Sequence, residues 1–223
     1  MFFLYQLLTT ILFPFYVLVI LIRLIQGKED KKRFLEKILI KNKTFFYKSK
    51  FTVWFHGASI GEIKSIFPIV NKLLKKDKRI NIIVTSVTLS SGNLIKQEYG
   101  NNKRVKHQYF PFDNFYLVKK FLSKWKPNLV MLIDSEIWPN FIIEIKKRNI
   151  PLTLINGRIT NKSFKRWYKI NFFAKYIFSY FDTCIAASKN SLKNLKALNA
   201  RNAKFYGNLK FIPYKETNKK LKK

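Results

Sequence analysis

The stretch Phe51–Glu62, FTVWFHGASIGE, decides how the rest of the chain is read. An apolar run of strand character stops at His56-Gly57, and after Ala58-Ser59-Ile60-Gly61 the carboxylate of Glu62 opens a segment with helical spacing. In an open parallel α/β sheet such a loop lies at the carboxyl end of a strand, where ligands bind, and the helix start offers free backbone N–H groups. Two readings of Glu62 stand side by side. It complements the positive end of a helix dipole, or it is a carboxylate placed for chemistry.

Outward from this stretch, apolar runs of strand length at 52–55, 81–85, 108–110, 129–133, 152–155, 184–187 and 204–206 alternate with helical spacing near 61–75, 90–98, 114–124, 138–147, 162–180 and 189–198. Strands that are apolar throughout, rather than at every second residue, belong to a parallel sheet covered on both faces. The expected fold is α/β, a single doubly wound Rossmann-like domain. Gly57, Gly61, Gly157 and Gly207 each follow an expected strand and so gather at one rim, although ordinary turns account for each of them singly. Neither a G-x-G-x-x-G run nor a Walker loop occurs.

Composition restricts the partners. A formal net charge of +32, from 44 Lys+Arg against 12 Asp+Glu, calls for something anionic: nucleic acid, a negatively charged membrane surface or a phosphorylated substrate. Compositional drift toward Lys, Ile, Asn and Phe explains part of that charge. The single cysteine, Cys184, sits in an apolar run and has no intrachain partner, which suits a reducing compartment. With His56 and His107 it makes too few soft ligands for zinc, so no metal is expected.

Residues 2–22, FFLYQLLTTILFPFYVLVILI, carry no charge and just reach the roughly 20 residues that span a bilayer, with Pro14 as a kink. There is no basic leader or small-residue cleavage site of the kind that marks a signal peptide. The basic run that follows places everything downstream on the cytoplasmic side if the helix spans. Alternatively the helix lies in the interface, with Lys28 to Lys43 against anionic lipid. The organisation expected is an anchor helix over 1–26, a basic juxtamembrane segment over 27–50, the Rossmann-like domain over 51–212 and a disordered basic tail over 213–223.

Four stretches in order, His56–Glu62, Ile133–Asn140 (IDSEIWPN), Asn156–Ile159 with Ser163, and Gly207–Phe211 (GNLKF), resemble the N-terminal half of the bacterial 3-deoxy-D-manno-octulosonic acid (Kdo) transferases. The resemblance covers nearly the whole chain, the apolar N-terminus included. It implies the acceptor-binding half of a two-domain GT-B glycosyltransferase that moves Kdo from CMP-Kdo to the lipid A precursor at the inner membrane, facing the cytoplasm. It implies no cofactor beyond the donor substrate and no nucleic acid partner. Glu62 matches the family's catalytic base. Asp134 stands where the family carries Glu, one methylene longer; Lys210 matches a lysine near the reacting centre. Ser59, Gly61, Glu136, Asn156, Arg158 and Asn208 line the substrate rim, with Arg158 suited to an acceptor phosphate. Trp138-Pro139 is expected to start a helix over a packed aromatic ring.

The family's Asp after the GNLKF-type motif is Ile212 here, and the expectation is that the C-terminal donor domain is absent from this chain, which makes it a fragment, a decayed copy or a split gene product whose donor domain is a separate chain. The competing reading is a non-catalytic membrane-surface module that binds phosphorylated lipid or a partner protein.

Overall fold

The computed structural model describes residues 1–41 and 51–211. Ile212, the tail over 213–223 and the second part of the basic segment lie outside the described residues. The strands are β1 (Phe51–His56), β2 (Ile80–Ser86), β3 (Val105–Tyr109), β4 (Leu129–Ile133), β5 (Leu152–Gly157), β6 (Thr183–Ala186) and β7 (Ala203–Lys204). The helices are α1 (Phe2–Ile11), α2 (Phe13–Ile25), α3 (Ile60–Lys76), α4 (Leu89–Tyr99), α5 (Phe115–Trp125), α6 (Pro139–Lys147), α7 (Asn161–Tyr168), α8 (Asn171–Phe178) and α9 (Lys189–Ala197).

All strand pairs are parallel, and the seven strands run in the order β3-β2-β1-β4-β5-β6-β7. The apolar strands need cover on both faces, and they receive it. Ile63, Ile66, Phe67 and Val70 of α3, with Ile95 of α4, pack on one side. Phe121 of α5, Phe141 and Ile142 of α6, Phe178 of α8 and Leu195 of α9 pack on the other. This is the doubly wound α/β fold expected from the strand pattern. Cys184 is fully buried in β6, where burial pushes its thiol up to about 12. The order reverses between β1 and β4, so their carboxyl-end loops diverge and leave a crevice, the place where ligands bind in such sheets.

The apolar N-terminus is not one helix. α1 and α2 meet at Leu12 with a bend of 46°, and no single described helix is long and apolar enough to cross a membrane. Pro14 has no N–H and would interrupt a continuous helix, but it is harmless in a first turn, and it lies in the first turn of α2. One side of the pair is fixed to the domain: the Tyr5 hydroxyl donates to Asp113 at 2.8 Å, and Tyr16 stacks on Phe112 with centroids 4.3 Å apart. On the other side Phe3, Leu4, Leu7, Ile11, Phe15 and Leu18 are exposed.

The basic segment that follows is partly structural. Glu29 and Lys37 form a buried ion pair, and Arg33 bridges Glu36 and the His107 carbonyl. Glu36 accepts the Tyr109 amide, so the segment covers the edge strand β3. Lys28, Lys31, Lys32 and Lys41 remain exposed.

Candidate active site at the carboxyl rim of the sheet

β1 ends at His56, and the chain turns through Gly57 and Ala58 into α3. Ser59 is the N-cap, its hydroxyl oxygen accepting the Glu62 amide at 3.4 Å. Glu62 answers by accepting from the Ala58 amide at 2.7 Å through Oε2 and from the Ser59 hydroxyl at 2.7 Å through Oε1. The exchange resembles a capping box, and it holds the carboxylate over the loop rather than along the helix. A side chain at Gly57 would come within 3.1 Å of the Glu62 Cβ, so the glycine is what lets the loop lie against this carboxylate. Gly61, in the first turn of α3, meets nothing and is there without a packing reason.

Across the switch point β4 ends at Ile133, and Asp134 takes a left-handed conformation, φ 61°. Asn156 on β5 does the same at φ 54°. Asp and Asn tolerate this region better than other side chains, and such residues gather at functional loops. Asp134 is buried, and its Oδ2 accepts from the Lys210 ammonium at 2.6 Å. Asn156 accepts the Leu209 amide at 3.1 Å and Asn208 accepts the Lys210 amide at 2.9 Å, which fixes the turn that carries Lys210. Residues 209–211 in turn pack against α3, the helix that Glu62 starts. Residues far apart in sequence therefore meet: Asp134, Asn156, Asn208 and Lys210 share one stretch of rim, and residues 209–211 tie it to the helix that carries Glu62.

Glu136 faces another way. Its Oε2 accepts from His56 Nε2 at 3.0 Å and from Trp138 Nε1 at 2.8 Å. Burial alone would raise its carboxyl, yet the His56 and Trp138 hydrogen bonds prevail and leave it below the usual range. His56 Nδ1 meets the Thr85 hydroxyl at 3.0 Å, and Thr85 accepts from Trp54 Nε1 at 2.8 Å. A carboxylate only accepts, so Nε2 carries the proton that binds Glu136. His56 itself is buried and stacked on Phe110 at 3.7 Å. Sequence reasoning missed this histidine as part of the rim; its place at the end of β1, next to Gly57, was the available signal. Trp138 packs on Phe110 and precedes Pro139 at the start of α6, as its sequence suggested.

Arg158 lies just beyond β5, exposed, with its backbone tied to Asp134 and Ser135. It borders a cavity of about 310 Å3, shared with Asp134, Asn156, Ser188, Asn190 and Lys210. Ser188 and Asn190, at the start of α9, were not picked out by sequence. Asn208 also lines this cavity. The rim thus offers a carboxylate over the β1 loop, an oriented ammonium, an exposed guanidinium and a polar cavity, which together suit group transfer between polyhydroxylated, anionic molecules.

The family model for 3-deoxy-D-manno-octulosonic-acid transferases matches residues 24–212. The chain is 36% identical over 208 residues to the 3-deoxy-D-manno-octulosonic acid transferase of Rickettsia bellii, covering 93% of this chain and 49% of that protein. It is 32% identical to the Rickettsia typhi transferase, covering 93% of this chain and 54% of that protein. The chain spans about half the length of the curated relatives it matches. Among solved structures, the Staphylococcus aureus MnaA–UDP complex superposes with a TM-score of 0.51 at 14% identity, over 71% of this chain and 44% of that one, a likeness of fold.

Proposed function

Because the chain belongs to the 3-deoxy-D-manno-octulosonic-acid transferase family, we propose that its rim is the acceptor wall of a glycosyltransferase active site, at which Kdo passes from CMP-Kdo to the lipid A precursor. The observation that carries this reading is the Asp134–Lys210 pair at the carboxyl rim of the sheet, held on a turn whose residues 209–211 pack against α3, the helix that carries Glu62 in its first turn. The nucleotide wall comes from a donor-binding domain, in the same protein or on a second chain.

In this mechanism a sugar hydroxyl of the lipid attacks the anomeric carbon of the donor and gives its proton to Glu62. The bond from the anomeric carbon to the phosphate oxygen breaks, and its electron pair leaves with CMP. Each Glu62 oxygen accepts one hydrogen bond from the loop and keeps a lone pair for the proton. Lys210, held by Asp134, supplies positive charge where the leaving phosphate gains negative charge. Glu136 is committed to His56 and Trp138, and its part is to shape the rim.

The exposed apolar side of α1 and α2, beside the exposed lysines of 28–41, supports a further element of the proposal. The pair lies in the cytoplasmic leaflet of the inner membrane and brings the rim to a lipid acceptor.

The test is transfer of labelled Kdo to lipid acceptor by the full chain combined with the C-terminal half of a relative. Glu62→Gln keeps the side-chain shape and one acceptor oxygen for the loop but not the basic carboxylate. Transfer is expected to fall about 10²-fold or more, with lipid binding little changed. Undiminished transfer would reduce Glu62 to a helix cap, and no transfer by the parent combination would leave the non-catalytic membrane module as the better account.

A further inference from the structure

The cavity beside Arg158 lies between the starts of α7 and α9. Thr160 and Ser188 cap these helices by accepting the amides of Ser163 and Ser191, so the earlier first-turn amides are left facing outward. Both helix dipoles add positive potential there. Side chains make the stronger case. Asp134 is the one carboxylate in the lining, and Lys210 already neutralises it at 2.6 Å. Arg158 makes no side-chain hydrogen bond or ion pair with any described residue, so its charge is unspent.

The cavity wall also holds Asn156, only 2% exposed. Its oxygen accepts the Leu209 amide, which orients the side chain so that the amide nitrogen is the donor left over. That nitrogen has no acceptor among the described residues. That nitrogen keeps solvent access at the cavity wall, so a ligand oxygen can reach it. The positions of charge and of unused donors agree: guanidinium, buried amide and helix-start N–H groups converge, with no free acceptor charge opposing them.

We propose that this cavity is an oxyanion subsite for a single sugar, taking its carboxylate or its phosphate on Arg158, the Asn156 amide and the first turn of α9. Ligand pockets run from about 300 to 1,000 Å3, and 310 Å3 fits one sugar better than a disaccharide headgroup. The size therefore favours the acid group of the transferred sugar over a phosphate of the acceptor. This deepens the proposed function and rests on it for the identity of the sugar.

The experiment uses the full chain in detergent micelles, labelled with 15N, and follows the side-chain signals of Asn156, Asn190 and Arg158 during titration. Four probes are compared: free Kdo, its methyl ester, glucosamine 1-phosphate and glucosamine. Kdo is expected to shift these signals at least 10-fold more tightly than the ester, and Arg158→Gln to remove most of that difference. Asn190→Asp, which sets a negative charge at the mouth, is expected to do the same without changing the thermal unfolding midpoint. If glucosamine 1-phosphate binds in preference to Kdo, with glucosamine silent, the subsite stands and its source is the acceptor phosphate. Equal affinity for acid and ester together with equal affinity for the phosphorylated and plain amine overturns the proposal, as does Arg158→Gln binding like the parent. Glu62 is not in the lining, so the outcome of the Glu62→Gln transfer assay is read separately from this one.

Discussion

Two carboxylates, one enclosed and one partly buried, are pushed in opposite directions, and their surroundings say why. Asp113 is fully enclosed, and burial raises it to about 6 although Tyr5 and the Asn140 and Phe141 amides all donate to it. Glu136 is held below the ordinary range because His56 and Trp138 outweigh burial. Between the unfolded value near pH 4 and about 6, native Asp113 holds more proton than the unfolded chain, so its contribution to stability declines as pH rises through that window and then levels. Urea unfolding of wild type against Asp113→Asn should show that decline, on the order of 3 kcal/mol, and a flat difference would refute it. Glu136 works with the other sign: its contribution is complete above its unfolded value and is lost as pH falls through its lower native one. His56→Phe removes a donor from that carboxylate and is expected to cost about 1–3 kcal/mol at pH 7. As pH falls through the lowered native value of Glu136 the cost should shrink, because the carboxylate takes up a proton. Glu62 was legible in the sequence because its loop and helix are local. His56 was not, because its partner Glu136 lies 80 residues away.

The elements show the same division between local and distant causes. Central strands such as β1, β2 and β4 are apolar because both faces are covered, and the sequence marks them within a residue or two. The edge strands are harder to see. β3 runs through Lys106 and His107 because the 28–41 segment covers it with polar groups, so only its end reads as apolar. The segment 162–180 reads as one helix yet breaks into α7 and α8 at Lys169 and Ile170, where no proline or glycine announces it. What holds α1 to the domain is likewise invisible locally, since Tyr5 and Asp113 are 108 residues apart. Asp113 also caps the start of α6 through Asn140 and Phe141, and α6 follows the loop that carries Glu136. Tyr5→Phe deletes one hydrogen bond to a charged acceptor and is expected to cost about 1.5–3 kcal/mol. Amide exchange at residues 140–143 should accelerate with it. Exchange unchanged there, with stability lowered, would mean that α1 and α6 are not coupled through Asp113.

For the molecule as a whole, the proposed membrane seating depends on α1 and α2 having two different sides. At about 1.5 Å per residue, the 13 residues of α2 reach roughly 20 Å, short of the roughly 30 Å hydrocarbon core. A helix pair pinned along one side by Tyr5 of α1 and by Phe13 and Tyr16 of α2 also cannot leave the domain to cross a bilayer without giving up those contacts. Lying in the interface satisfies both sides at once. Leu7 and Ile11 are 46% and 58% exposed, so Leu7→Glu with Ile11→Glu should leave the unfolding free energy within about 0.5 kcal/mol. The same pair should release most of the chain from phosphatidylcholine–phosphatidylglycerol vesicles in a sedimentation assay. High salt should release little of the wild type, since apolar burial is not screened, and should weaken only the share contributed by lysines facing anionic lipid. Removing residues 1–26 is a harsher change with a different signature: it strips Tyr5 from Asp113 and uncovers Phe112, so the truncated chain should unfold at lower denaturant as well as leave the membrane. A truncated chain as stable as the full one would make α1 and α2 a detachable anchor, and wild-type binding undisturbed by the paired glutamates would remove the exposed face from membrane contact.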